Sequence, residues 1–486
     1  MNQSSAANIT INDIVPRSLE FALGILGALM GVIVLQLSTT VLTVGVTLLV
    51  WILMLPSIWR RPQVGLYAFL LTYPLAALFT TQELITVSIP NAFLLTTSLL
   101  LLTRLKRYEP HPPLIRRILV LVPIFLVVSL AVVLMAPEPA VALRGMSTRI
   151  GYCLTVLVLV VLLRDWEKIR VALKCMVVSA TLASIATILL IFMPDLLPKP
   201  LQNVGQIEPL LRVLPGVRPT GLFVSVHSFA SWVVYALAIT SMSLFSPRLF
   251  GVRRRWAVLS MMLMGCGLLV NQTRIAWLAV LVLSALAICF APLYVSGRRR
   301  QSLLLLAAFG LFGTWFALNS NSVKTTAENF VWGGERELSS AERVVQYQIA
   351  FNLLREHPWF GIGPAGASFY LESAGLHPNI HNIFLEELVA FGIVGFVPYI
   401  AFLPLALAGP LKLLLSNRRD HSLVGASILI ASISVMVVYQ VYSGVGEKGY
   451  WITIGLGAAA SRLLGAGDKP CKEPKKTDHA AIPLAN

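Results

Sequence analysis

The chain has 486 residues, of which 57% are hydrophobic and only 12% charged. Soluble globular chains carry about 25% charged residues, so this composition excludes a string of soluble domains and leaves a membrane protein. The formal net charge of +16 comes from 38 Lys and Arg against 22 Asp and Glu. Most of these cations sit in short stretches between apolar runs, the mark of cytoplasmic loops and not of a nucleic-acid surface.

The apolar runs are long enough to cross a bilayer as helices, the form in which backbone groups pair within one segment. The alternating pattern of a membrane barrel is absent. Five cysteines are scattered, with Cys153, Cys175, Cys266 and Cys289 in apolar runs and Cys471 in the tail. None has the spacing of a metal or redox site, so they read as buried hydrophobes.

Residues 1–18 are polar without a basic start and read as a cytoplasmic segment, not a cleavable signal. Eleven spans are expected over 19–319, centred in 19–37, 40–58, 64–80, 89–103, 116–136, 146–163, 170–193, 222–245, 256–271, 274–295 and 302–319. Gly24, Gly27 and Gly31 mark close helix packing in the first, and Tyr73-Pro74, Pro123 and Pro404 are expected kinks. A polar loop over 320–380 follows. Further spans lie within 381–464, in 383–408, 422–442 and 447–464, and a basic tail covers 465–486. The short candidates 64–80 and 256–271 read equally well as re-entrant, so the expectation is an all-α polytopic membrane protein of about 12–14 transmembrane helices. One larger periplasmic loop carries an amphipathic helix.

Basic residues follow every even-numbered span: Arg60 and Arg61, Arg104 to Arg117, Arg164 to Arg170, Arg248 to Arg255, Arg298 to Arg300, Lys412 to Arg419, and Arg462 onward. That places both termini in the cytoplasm and the 320–380 loop outside. Outward cations are then few, and each asks for a reason. Arg218 ends the 194–221 segment, and Arg274 follows the tight turn Asn271-Gln272-Thr273. An Arg at that depth needs an anion to meet it, or snorkels to headgroups or pairs with Glu208 or Glu447.

In the loop, Ser339-Ser340-Ala341-Glu342 reads as a capping box. The helix it opens would run to about Arg355, with Val345, Ile349 and Leu353 on one face. It should lie on the membrane surface or fold over the spans. Arg343 would fall in its first turn, a poor place for a cation by the helix dipole, and so reads as a ligand contact. His357-Pro358 ends the helix, Trp359 and Phe360 are interfacial anchors, and Gly361, Gly363 and Gly366 read as a flexible turn. Three histidines, His357, His377 and His381, are near one another in sequence. An exposed loop histidine is usually only solvated, but His381 stands where the loop meets an apolar helix. Near two arginines its imidazole should stay neutral and able to take a proton.

These residues resemble the O-antigen ligase and O-antigen polymerase superfamily of bacterial inner-membrane glycosyltransferases. His381-Asn382, nine residues, Gly392, two residues and Gly395 fit that family's pattern, as do Thr273-Arg274, Arg343 and the PWFGIGPAGASF stretch. The likeness covers roughly residues 210–400. It implies a GT-C-like helical fold and a glycan donor on undecaprenyl diphosphate. The catalytic pair would be His381, the general base toward an acceptor hydroxyl, and Arg274. Arg274, Arg218 and Arg343 would bind the diphosphate, with Asn382, Gly392 and Gly395 in support and no metal or cofactor. Attack at the anomeric carbon would invert it. The acceptor would be lipid A-core for a ligase, or a second lipid-linked glycan for a polymerase of O-antigen or exopolysaccharide. The acidic residues Glu335, Glu337 and Glu342 fit no motif. Against this stands a transporter or flippase of an anionic lipid or solute, which should place ionisable residues at mid-membrane and show inverted repeats. Neither stands out in the sequence. A non-catalytic envelope scaffold is a third reading.

Overall fold

The computed structural model describes residues 40–75, 88–104, 111–192, 223, 225–271, 273–294, 307, 310–311, 335–376, 378, 380–440 and 448–464. Among them the regular structure is helical, without strands. The helices are α1 (Thr40–Arg60), α2 (Gln63–Thr72), α3 (Ile89–Leu102), α4 (Pro113–Met135), α5 (Pro139–Leu162), α6 (Trp166–Phe192) and α7 (Val226–Ser243). They continue with α8 (Arg254–Asn271), α9 (Arg274–Tyr294), α10 (Glu335–Glu356), α11 (Gly366–Ser373), α12 (Ile383–Leu414), α13 (Arg419–Tyr439) and α14 (Gly449–Ala460).

Six of the described helices are long and apolar enough to cross a membrane: α4, α5, α6, α7, α12 and α13. Shorter apolar helices cover Leu49–Arg60, Ile89–Leu102 and Ile275–Ala291. The protein is an all-α polytopic membrane protein. Its lipid-facing side is legible on α4, where Val120, Val127 and Leu134, spaced two turns apart, are 58%, 68% and 72% exposed. A soluble helix would bury such a stripe. Inside the bundle polar side chains turn back on their own helices. Thr97, Ser184, Thr187, Thr240 and Ser432 each donate a hydroxyl to a carbonyl four residues earlier, which keeps them satisfied without water.

The expected spans from 40–58 to 274–295 each find a helix; in 64–80 the α-helix runs to Thr72 and a 3-10 turn covers 73–75, with 76–80 outside the described residues. The first span with Gly24, Gly27 and Gly31, almost all of 302–319, and the tail lie outside the described residues. The close backbone approaches the described part does show lie elsewhere. A Cβ on Gly409 would fall 2.8 Å from the Gly457 carbonyl oxygen, and one on Gly457 would fall 2.4 Å from that of Ala406. Glycine there lets α12 and α14 touch backbone to backbone.

Short connections make α5 and α6, α8 and α9, and α12 and α13 antiparallel, and contacts of Gly449 with Ser231 and Tyr439, of Trp232 with Ser179 and of Gly267 with Ser184 align the ends of the remaining helices. At one end Trp166 packs on Phe250 (ring centroids 5.8 Å) and Arg462 reaches His111 and the Val160 carbonyl. At the other, α5, α7, α9, α12 and α14 begin and α6, α8 and α13 finish. Both Arg274, which opens α9, and His381, two residues before α12, stand at this second end.

Two expectations about the loop are corrected. Its helix already runs from Glu335, so Ser339 lies inside it, and Arg343 sits in the third turn. The buried line is Gln346, Ala350 and Leu353, whereas Val345 is exposed. Propensity placed the cap at the first Ser-Ser pair, but the acidic and basic residues before it continue the helix just as well. The helix folds over the spans: Ala350 and Leu353 form a small core with Ile362, Ala367, Leu371, Ile380 and Val389 of α12.

Candidate active site

Asn382 opens α12. Its side-chain oxygen accepts from the Phe384 and Leu385 amides, both at 3.0 Å, and its amide nitrogen donates to the Gln440 carbonyl at 3.3 Å. One residue therefore caps the helix and ties its start to the end of α13. His381 immediately precedes it, half-buried, with its carbonyl accepting from the Tyr347 hydroxyl of α10 at 3.3 Å. Asn382→Ala should destabilise the protein by about 1 kcal/mol, and Asn382→Asp should recover most of that. Thermal unfolding of the two purified variants checks this.

The glycines of the motif have a backbone role. At Gly392 the chain takes φ 57°, ψ −169° and breaks α12. The groups the break frees are used by the stretch 358–363, a strap laid across it. Ile362 and Gly363 donate to the Val389 and Ala390 carbonyls at 3.1 and 2.9 Å. Ile393 and Val394 donate to the Pro358 and Trp359 carbonyls at 2.9 and 3.0 Å. Gly361 and Gly363 have φ of 65° and 85°, and a Cβ on Gly361 would fall 2.4 Å from the Val389 carbonyl oxygen. The expected flexible turn is thus a hydrogen-bonded clasp. Gly363 and Pro364 also seat on α5, against Ala142 and Gly145, so the strap joins three parts of the bundle beside His381.

Below His381 lies a group that sequence reasoning missed. Arg149 of α5 and Glu387 of α12 are 2% exposed each and form an ion pair at 2.8 Å. The Arg149 guanidinium carbon lies 5.2 Å from the ring centroids of both Tyr152 and Phe391. Glu386, also buried, interacts electrostatically with the same arginine. Arg149 Nε and Nη1, Glu387 Oε2 and Glu386 Oε2 are buried without a hydrogen-bond partner. The signal was present, since three ionisable residues fall inside expected spans, where such residues mark function by default. It was hidden because Arg149 sits three residues into the expected span and reads as a lip residue.

Among the other expected site residues, Arg343 is half-buried with its Nε unpartnered. His357 stands where α10 ends and the strap starts, its amide donating to the Leu353 carbonyl at 2.9 Å. Arg274 is described for its backbone only. The Thr273 hydroxyl before it donates to the Asn271 side-chain oxygen, and that contact shapes the turn. Arg218, His377, Glu208 and Glu447 lie outside the described residues. Among the described residues no cluster of three His, Cys, Asp or Glu could hold a metal ion.

No curated protein matches the chain. Residues 259–400 match the family model described as O-antigen ligase, a stretch that runs from within α8 through Arg274, α10, the strap, His381 and Gly395. In that stretch the chain is similar to the O-antigen ligase family.

Proposed function

We propose that this protein is an inverting, metal-independent glycosyltransferase of a bacterial inner membrane. It moves a glycan from undecaprenyl diphosphate to an acceptor hydroxyl on the periplasmic face, with lipid A-core as the acceptor. His381 takes the hydroxyl proton as the acceptor oxygen attacks the anomeric carbon, and the bond from that carbon to the diphosphate breaks. Arg274, Arg218 and Arg343 meet the charge that develops on the leaving diphosphate. One observation supports this reading above the others: inside the matched stretch, His381 and the start of α9 at Arg274 share one end of the bundle. Transfer to a second lipid-linked glycan is the alternative within the same chemistry.

The test is purified protein incubated with undecaprenyl-diphosphate glycan and either lipid A-core or a second glycan. The accepted partner separates ligase from polymerase. His381→Ala should lower transfer by about 10²–10⁴-fold at unchanged protein level. Full transfer by that variant sinks the assignment, and a dead His377→Ala beside an active His381→Ala moves the base to the other imidazole.

The buried Arg149, Glu386 and Glu387 favour a second reading, an anion transporter, because ionisable groups within spans often line a pathway. Counterflow of an anionic lipid or solute in vesicles, without any glycan transfer, would select it.

A further inference from the structure

Residues 383–391 form a stub. Asn382 caps its start, and the break at Gly392 cuts its helical continuity with the rest of α12. The direction of so short a piece is set by what grips it. Its start is held by the Asn382–Gln440 contact, and its end by the strap at Val389 and Ala390. Between them the grip is Arg149. That guanidinium meets the stub one helical turn apart on a single face, at the Glu387 carboxylate (2.8 Å) and over the Phe391 ring (5.2 Å). Its other aromatic neighbour, Tyr152, belongs to its own helix.

Stability alone does not account for this pair. Desolvation offsets the attraction of two buried charges, and apolar side chains of similar volume commonly serve as well or better. Here the pair is also incompletely hydrogen-bonded, with Arg149 Nε and Nη1 and Glu387 Oε2 unpartnered. What this contact adds is direction, because one guanidinium is held at two points of the stub a turn apart, the Glu387 carboxylate and the Phe391 ring. We infer that Arg149 is a positioning residue: it sets the rotation and depth of the stub, and so the place of His381 at the lip where α9 begins. The inference rests on the transfer reading proposed above.

The test compares wild-type protein, the double variant Arg149→Met with Glu387→Met, and the single variants Arg149→Lys and Glu387→Gln. All are assayed with undecaprenyl-diphosphate glycan and acceptor, and amide exchange over residues 380–388 is read on the same samples. The Met pair should melt close to wild type and keep the donor KM within about twofold. Its kcat should fall by at least about tenfold, since a small misplacement of a catalytic group is costly, and stub amides should exchange about tenfold faster. Arg149→Lys, which keeps the charge but not the planar guanidinium over the Phe391 ring, should recover only part of the kcat lost in the Met pair. Glu387→Gln keeps the shape but not the charge, and should lose kcat at unchanged KM. A folded Met pair with wild-type kcat overturns the inference. So does stub exchange that matches wild type in the Met pair, or in Glu387→Gln if the Met pair does not fold. Absence of transfer by the wild-type protein counts against the transfer reading instead, and the exchange comparison still decides whether Arg149 holds the stub.

Discussion

Gly392→Ala is expected to destabilise the protein by about 3 kcal/mol or more and to abolish its activity. At φ 57°, ψ −169° the backbone lies in a region essentially reserved for glycine, where a side chain costs about 1–3 kcal/mol. The added Cβ would also fall 2.4 and 2.5 Å from the carbonyl carbon and oxygen of Trp359. Those are backbone atoms and cannot swing aside. Relief requires the strap to lift or α12 to straighten, and either movement strains the four clasp hydrogen bonds, each worth about 0.5–1.5 kcal/mol. Gly375→Ala is the control. It too has a positive φ, 73°, but nothing lies within 4 Å of its Cβ, so only backbone strain of about 1–2 kcal/mol applies. Thermal unfolding of both variants, with amide exchange at Ile362 and Gly363, reads the difference. A Gly392→Ala protein no less stable than Gly375→Ala would mean that the clasp does not hold α12.

The motif around His381 was legible as a pattern long before its physical content was. Spacing alone marked Gly392 and Gly395, yet nothing local shows that Gly392 breaks a helix. The residues that complete the break, Pro358 to Gly363, lie about thirty positions earlier in the chain. Proline was the kink signal the sequence offered, and α12 carries Pro398, Pro404 and Pro410, but its non-helical backbone is at the glycine. Helix existence was readable from apolar length, since a bilayer leaves few other solutions. Helix phase in the loop was not. Val345 and Ala350 are both small and apolar, and which of them turns inward is decided by the strap and α12, which α10 covers. The same limit applied to Arg149. Its charge was visible, but its partner Glu387 is more than two hundred residues away and only packing of α5 on α12 brings them together.

That distant pairing makes the second large prediction. Arg149→Met alone should destabilise the protein by about 3–5 kcal/mol, because it leaves the Glu387 carboxylate buried without its cation and beside Glu386. Exchanging Glu387 for Met in the same molecule should recover most of that loss, since a matched apolar pair removes the stranded charge along with the attraction. The non-additivity is the point of the measurement: two independent sites would sum, whereas here the second substitution should repair the first. Unfolding of the two single variants and the double, in one detergent and at one pH, completes the cycle. If the double variant is as unstable as the sum of the singles, the charges are not coupled as their 2.8 Å separation implies. If it is stable but inactive, stability and position have been separated in one protein, and the ion pair is retained for where it puts His381.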